Sequence, residues 1–251
     1  MEKVLLYFVI KYQGDWERIY QAIDEHEKIS LEELATWEQA LDCKYISILD
    51  PNYPEGLKSI YKPPFIIFYQ GNNKLMNQTS KTISITGSHQ TNYYVQKIVR
   101  EFVAKMEHHQ RTIITTFDGA TEILIHEENM KAKQSLKAIA IISNEKWKEH
   151  HQETIKFLKE NSLIISEYPF GWHQNIALSC QKNAARILLG LSKGLIVLPF
   201  NDEEQVKNII NAAFYENKEI YAVPNQIYEQ TTANHLFSKN VKVLQKIDDF
   251  L

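Results

Sequence analysis

The chain has 251 residues, 44% of them hydrophobic, and a formal net charge of −3. That is length enough for one large domain plus a small accessory one, and the charge excludes a uniformly basic surface, so any polyanion site must be local. Two cysteines, Cys43 and Cys180, stand far apart without metal-ligand spacing, which argues against a zinc centre or a disulfide framework and fits a reducing compartment.

The opening run MEKVLLYFVIKYQGDWE has no cleavage-site pattern, and no stretch approaches the roughly 20 apolar residues that span a bilayer, so a cytoplasmic protein away from the membrane is expected. Residues 1–48 show three helical patterns, the clearest at Ser30 to Leu41, where Ser30 and Glu33 form an S-x-x-E capping box. They are read as a small N-terminal helical domain, followed by a main domain over residues 49–251. Two proline-marked turns and a strand-like run, Phe65 to Tyr69, connect the two.

From Lys81 short apolar runs alternate with helical patterns: ISIT, then Tyr93 to Met106; TIITT, then Ala120 to Ala132; KAIAIIS, then Glu149 to Asn161. Leu163 to Phe200 reads as a complete strand–helix–strand crossover, and Glu203 to Asn217, EIYAVP, a short helix at Ala233 to Ser238 and VKVLQ follow. This alternation predicts an α/β fold, a Rossmann-like, doubly wound, mostly parallel sheet with right-handed crossovers. Ligands of such sheets collect beyond the carboxyl ends of the strands.

The first strand–helix turn there, Ile85 to Thr91, offers Gly87 for close backbone approach and hydroxyls from Ser88 and Thr91, and the helix start that follows offers unpaired amides. It lacks the dinucleotide and Walker signatures. In the crossover helix, Lys182 and Arg186 stand four residues apart beside Asn183, a pair of cations able to hold a phosphate backbone. Tyr168, Phe170 and Trp172 alternate along the loop before it and, if exposed, would stack on bases. Asp118, Glu122 and Glu167 fall at strand ends, but no nucleophile motif accompanies them, so no catalytic residue is assigned. EHHQ occurs twice, at Glu107 and Glu149; adjacent histidines diverge on a helix and are read as surface rather than metal ligands.

The succession LIISEYPFG, RILLGLS, GLIVLPF, IYAVP, with YPEGLKSIYKPPFIIFYQGN and ITGSHQTNYY upstream, resembles the DprA/Smf DNA-processing family over roughly residues 50 to 240. The resemblance implies a cytoplasmic homodimer that binds single-stranded DNA during natural transformation, protects the incoming strand and helps load the recombinase RecA, with no cofactor, metal or catalytic step. Gly87, Ser88 and His89 match the family's glycine, small residue and arginine. Arg186 matches the second arginine of its RNR segment, where Ala184 and Ala185 replace the first arginine and the asparagine. Gly119 stands at another arginine position and Glu122 at an aspartate, while His126 is kept; EEQVKNI replaces a Gly/Ser segment and Asn225 a glycine. The expected DNA-binding set is therefore Gly87, Ser88, His89, Gln90, Lys182, Asn183 and Arg186. The alternatives are a nucleotide-monophosphate phosphoribohydrolase using Glu122 or Glu167, or a paralogue that has lost DNA binding.

Overall fold

The structure is a computed structural model that describes residues 1–131, 136–143, 150–170, 177–201, 203–224, 241–244 and 246–247, with the side chains of 177–182 outside the description. The expected helix at Ala233 to Ser238, Trp172 and Asn225 lie outside the described residues.

Three helices open the chain, α1 (Glu2–Lys11), α2 (Trp16–Asp24) and α3 (Leu31–Ala40). Asp15 caps α2 by accepting the Arg18 amide at 3.1 Å, and Ser30 caps α3 by accepting the Glu33 amide at 3.3 Å. The Glu33 carboxylate does not complete the capping box; it accepts the Tyr7 hydroxyl at 2.7 Å and so ties α3 to α1.

The strands are β1 (Lys44–Ser47), β2 (Ile66–Gly71), β3 (Thr82–Thr86), β4 (Thr112–Thr116), β5 (Lys137–Ile141), β6 (Leu163–Ser166), β7 (Gly194–Val197), β8 (Glu219–Ala222) and β9 (Lys242–Val243). Between them run α4 (Glu55–Lys58), α5 (Tyr93–His108), α6 (Ala120–Lys131), α7 (Gln152–Asn161), α8 (Ala177–Gly190) and α9 (Glu204–Tyr215). Among the described residues they make one sheet, ordered β1-β2-β6-β5-β4-β3-β7-β8-β9. Pairing is parallel from β6 through β9 and antiparallel at β1/β2 and β2/β6.

Two elements differ from expectation. The run near Phe65 is not a mere connector: β2 enters the sheet between β1 and β6. Lys44–Ser47 is a strand, although the only pattern read before residue 48 was helical. A four-residue strand with one face half exposed gives too short an alternation to register.

Burial on both faces explains the continuous apolar runs of the central strands. Along β5 the side chains alternate: Ile139 and Ile141 join a core with Leu188 and Ile210, whereas Ala138 and Ala140 face one containing Leu6, Phe8 and Ile155. The second core also takes Ile66 and Phe68 of β2, so α1 packs on the same strands as α7. Order reverses beside β3, whose crossovers run outward to β4 on one side while β7 returns on the other. That reversal is the topological switch point where ligands of doubly wound sheets bind.

Candidate nucleic-acid interface

At the switch point β3 ends in Thr86 and turns through Gly87, Ser88, His89 and Gln90 before α5, whose Asn92 cap accepts the Val95 amide at 2.9 Å. A Cβ on Gly87 would stand 2.8 Å from Thr121 Cγ2 and 3.1 Å from Leu198 Cβ, so glycine is required for the turn to pack on α6 and β7. Ser88 is buried, its carbonyl accepting the Thr121 hydroxyl at 2.7 Å, while His89 and Gln90 are exposed. The His89 and Gln90 amides are not open to solvent. Glu203, leading into α9, accepts from the Ser88 hydroxyl and, at 3.3 Å, from the His89 amide; Ser88 Oγ itself accepts the Gln90 amide at 3.1 Å. A carboxylate thus occupies the place where a phosphate oxygen would receive these donors. Glu203 is the first residue of the EEQVKNI segment that stands where the resemblance expects Gly and Ser, and its contact with Ser88 lies at the switch point beyond the end of β7.

Behind the turn, Glu122 is buried and accepts the Thr86 hydroxyl at 2.8 Å and the Gly87 amide at 3.1 Å, both on Oε1. Its Oε2 has no hydrogen-bond partner among the described residues, and burial pushes the carboxyl up to about 7 against the opposing pull of those two donors. Any side chain at Gly119 would overlap that Oε2 and approach His89 Nδ1 to 3.3 Å, so glycine here and glutamate at 122 are geometrically coupled. His126, fully buried, shares a 2.8 Å hydrogen bond with Thr115, and burial drives its imidazole down to about 3, so it is neutral. Asp118 accepts the Ser143 hydroxyl at 2.7 Å on each oxygen and lies 3.4 Å from Gln205 Nε2.

The second group of expected residues lies elsewhere on the same edge. Arg186 donates through Nη2 to Glu167 at the end of β6, both largely buried; Arg186 Nη1 and Glu167 Oε2 have no hydrogen-bond partner among the described residues. Burial raises the Glu167 carboxyl and the guanidinium opposes that rise. Asn183 donates to the Tyr168 hydroxyl at 2.8 Å. Since β6 and β3 are separated by β5 and β4, Glu167 at the end of β6 stands about 14 Å along the edge from the end of β3, three strand spacings. The structure therefore brings Gly87, Ser88, His89 and Gln90 together in one place and Asn183 and Arg186 in another; the Lys182 side chain is outside the description.

The condition for a stacking surface is not met at two of the three aromatics: Tyr168 and Phe170 are 3% and 5% exposed, hence packing residues. Ala184 and Ala185, where the resemblance expects arginine and asparagine, are buried in the core between α8 and the sheet.

Among the described residues no group of three or more His, Cys, Asp or Glu could hold a metal ion, and no helix is long and apolar enough to cross a membrane. Among curated proteins the chain is similar to the DNA processing protein DprA of Streptococcus pneumoniae, 24% identical over 94% of this chain and 79% of the relative. It is also 26% identical to the DprA of Bacillus subtilis over 73% of this chain, spanning only 61% of that relative's length. In solved structures the fold is shared with the S. pneumoniae DprA, TM-score 0.77, 22% identity, covering 93% of this chain and 78% of the other. A structure of DNA processing protein A from Helicobacter pylori, described for its single-stranded DNA binding mode, matches with TM-score 0.70 and 17% identity over 83% of this chain and 94% of the other. The family model of DNA recombination-mediator protein A matches residues 44–251, and the chain belongs to that family.

Proposed function

We propose that the chain binds single-stranded DNA and acts in DNA uptake and recombination, protecting the incoming strand and helping to load RecA, as a cytoplasmic homodimer that performs no catalysis. The observation that carries this reading is the family match over residues 44–251, which includes every expected DNA-contacting residue. Its geometric support is the carboxyl edge of the sheet, where His89 and Gln90 stand exposed at the switch point and Asn183 and Arg186 follow along the same edge. Phosphates would be held by His89, Gln90 and Lys182. A salt titration of oligonucleotide binding tests it: affinity falls with added salt, and Lys182→Ala lowers the slope of log K against log salt by about one. Binding that ignores salt, or no binding at all, refutes it.

One observation favours the enzymatic alternative. Glu122 combines a buried oxygen that has no partner among the described residues with a carboxyl near neutrality, the protonation range of a general acid. Glu167 is a poorer candidate because Arg186 holds it as an ion pair. Base release from nucleoside monophosphates that disappears in Glu122→Gln would establish this reading, and none from wild type would dismiss it.

A further inference from the structure

A groove of about 650 Å³ runs beside α5, over the ends of β8 and β9. Its deeper lining is apolar: Phe102, Val223 and Leu244 are buried and belong to one core with Ile83 and Ile85 of β3. Tyr93, Lys97, Glu101 and Lys246 line it from exposed positions. At the carboxyl edge the Tyr94 hydroxyl donates to the Pro224 carbonyl at 2.9 Å and ties the first turn of α5 to the segment after β8. The groove is therefore fixed by the fold, and its size falls within the roughly 300–1,000 Å³ of ligand pockets.

Two of these side chains are left unused by the chain itself. Tyr93, the first residue of α5, is 79% exposed and makes no ring contact among the described residues. Lys97 follows four residues later on the same helical face and has no ion-pair partner among the described residues. The neighbouring turn is different, since Glu203 already takes the Ser88 hydroxyl and the His89 amide. Glu101 is the single carboxylate among the described residues lining the groove. It lies one helical turn beyond Lys97, farther from the edge where α5 begins.

We propose that the mouth of this groove is a nucleobase-stacking subsite: an unpaired base of a single strand lies on the Tyr93 ring, and Lys97 holds the adjoining phosphate. The proposal rests on the single-stranded DNA reading above and adds to it a contact with a base. Tyr93 follows Gln90 by three residues, at most about 11 Å of chain. That is about three nucleotides at the 3.4 Å rise of a strand, so a strand at the His89–Gln90 turn reaches the ring. Every base has a π face, so a lone tyrosine accepts unpaired bases without choosing among sequences.

The test compares two probes on the full chain by fluorescence anisotropy, a labelled oligo(dT) and an abasic strand of equal length. Tyr93→Ala lowers affinity for oligo(dT) about tenfold and leaves the abasic strand unchanged. Lys97→Gln lowers the salt slope by about one on both probes. Tyr215, 88% exposed at the far end of α9, is the control, and Tyr215→Ala changes neither probe. A Tyr93→Ala variant that keeps the wild-type ratio between the probes, loses both equally or matches Tyr215→Ala overturns the subsite while leaving the DNA-binding reading intact. An unchanged salt slope in Lys97→Gln overturns the phosphate contact. Wild type that binds neither probe overturns both the subsite and the reading it rests on.

Discussion

Glu203 accepts the Ser88 hydroxyl and the His89 amide, so the turn best suited to a phosphate already holds a carboxylate from its own chain. If the strand passes this turn, the carboxylate opposes it. Glu203→Gln keeps an acceptor for Ser88 and removes the charge, and oligonucleotide affinity rises about fivefold, since a like charge about 4 Å from a phosphate costs about 1 kcal/mol even in water. Equal affinities for wild type and variant would place the strand's phosphates away from Ser88.

Glu122 and His126 pull stability in opposite directions with pH. Glu122 goes from 4.5 to about 7 on burial, so its contribution is full below 4.5 and is lost as pH rises through 7. His126 goes from 6.5 to about 3, so its contribution is full above 6.5 and is lost as pH falls towards 3. Between pH 4.5 and 6.5 the two slopes, each about 1.4 kcal/mol per pH unit, nearly cancel. Relative to wild type, Glu122→Gln gains stability as pH rises across this window and His126→Gln gains it as pH falls. Urea unfolding at pH 5 and pH 8 resolves the two: at pH 8 the Glu122→Gln variant exceeds wild type by about 3 kcal/mol, and parallel profiles for all three proteins would contradict the buried protonation states.

The Glu167–Arg186 pair makes loss-of-binding experiments at Arg186 ambiguous unless stability is followed. Arg186→Met strands Glu167 in the interior and destabilises by about 3–5 kcal/mol, and adding Glu167→Gln recovers most of that loss. Thermal melts of the single and double variants measure the recovery. DNA binding by the refolded double variant then isolates the contact that Arg186 itself makes.

Gly14→Ala places a Cβ against Tyr168 at a backbone angle that L residues adopt at a cost of about 1–2 kcal/mol. Stability falls by at least that amount, and the turn between α1 and α2 lifts from Tyr168. Increased amide exchange over residues 12–18, with α6 unchanged, is the expected signature. A variant with wild-type exchange there would mean that the turn does not depend on this contact.

The scaffold was legible because strands buried on both faces leave continuous apolar runs, such as TIITT and GLIV, and because helices between them carry a 3.6-residue stripe. The edge was less legible. β1 is four residues long, and β2 pairs antiparallel with β6 across nearly a hundred intervening residues, which no local pattern encodes. At the site, Gly87 and Ser88 could be placed from the strand end that precedes them. The partners that decide their chemistry could not: Glu203 meets Ser88 across 115 positions, and Arg186 meets Glu167 across 19. Spacing of four put Lys182 and Arg186 on one helical face, but whether that face meets solvent or a carboxylate depends on tertiary packing alone.

The order of strands has a consequence for the birth of the protein on the ribosome. β4, β5 and β6 each add to the edge left by the strand before, so one side of the sheet grows in step with synthesis. The other side of β3 has no partner until β7, residues 194–197, has been made. For more than a hundred residues of elongation, ISIT presents an unpaired apolar edge of the kind that recruits neighbouring chains. The crossover that brings β7 home is therefore also what covers that edge of β3.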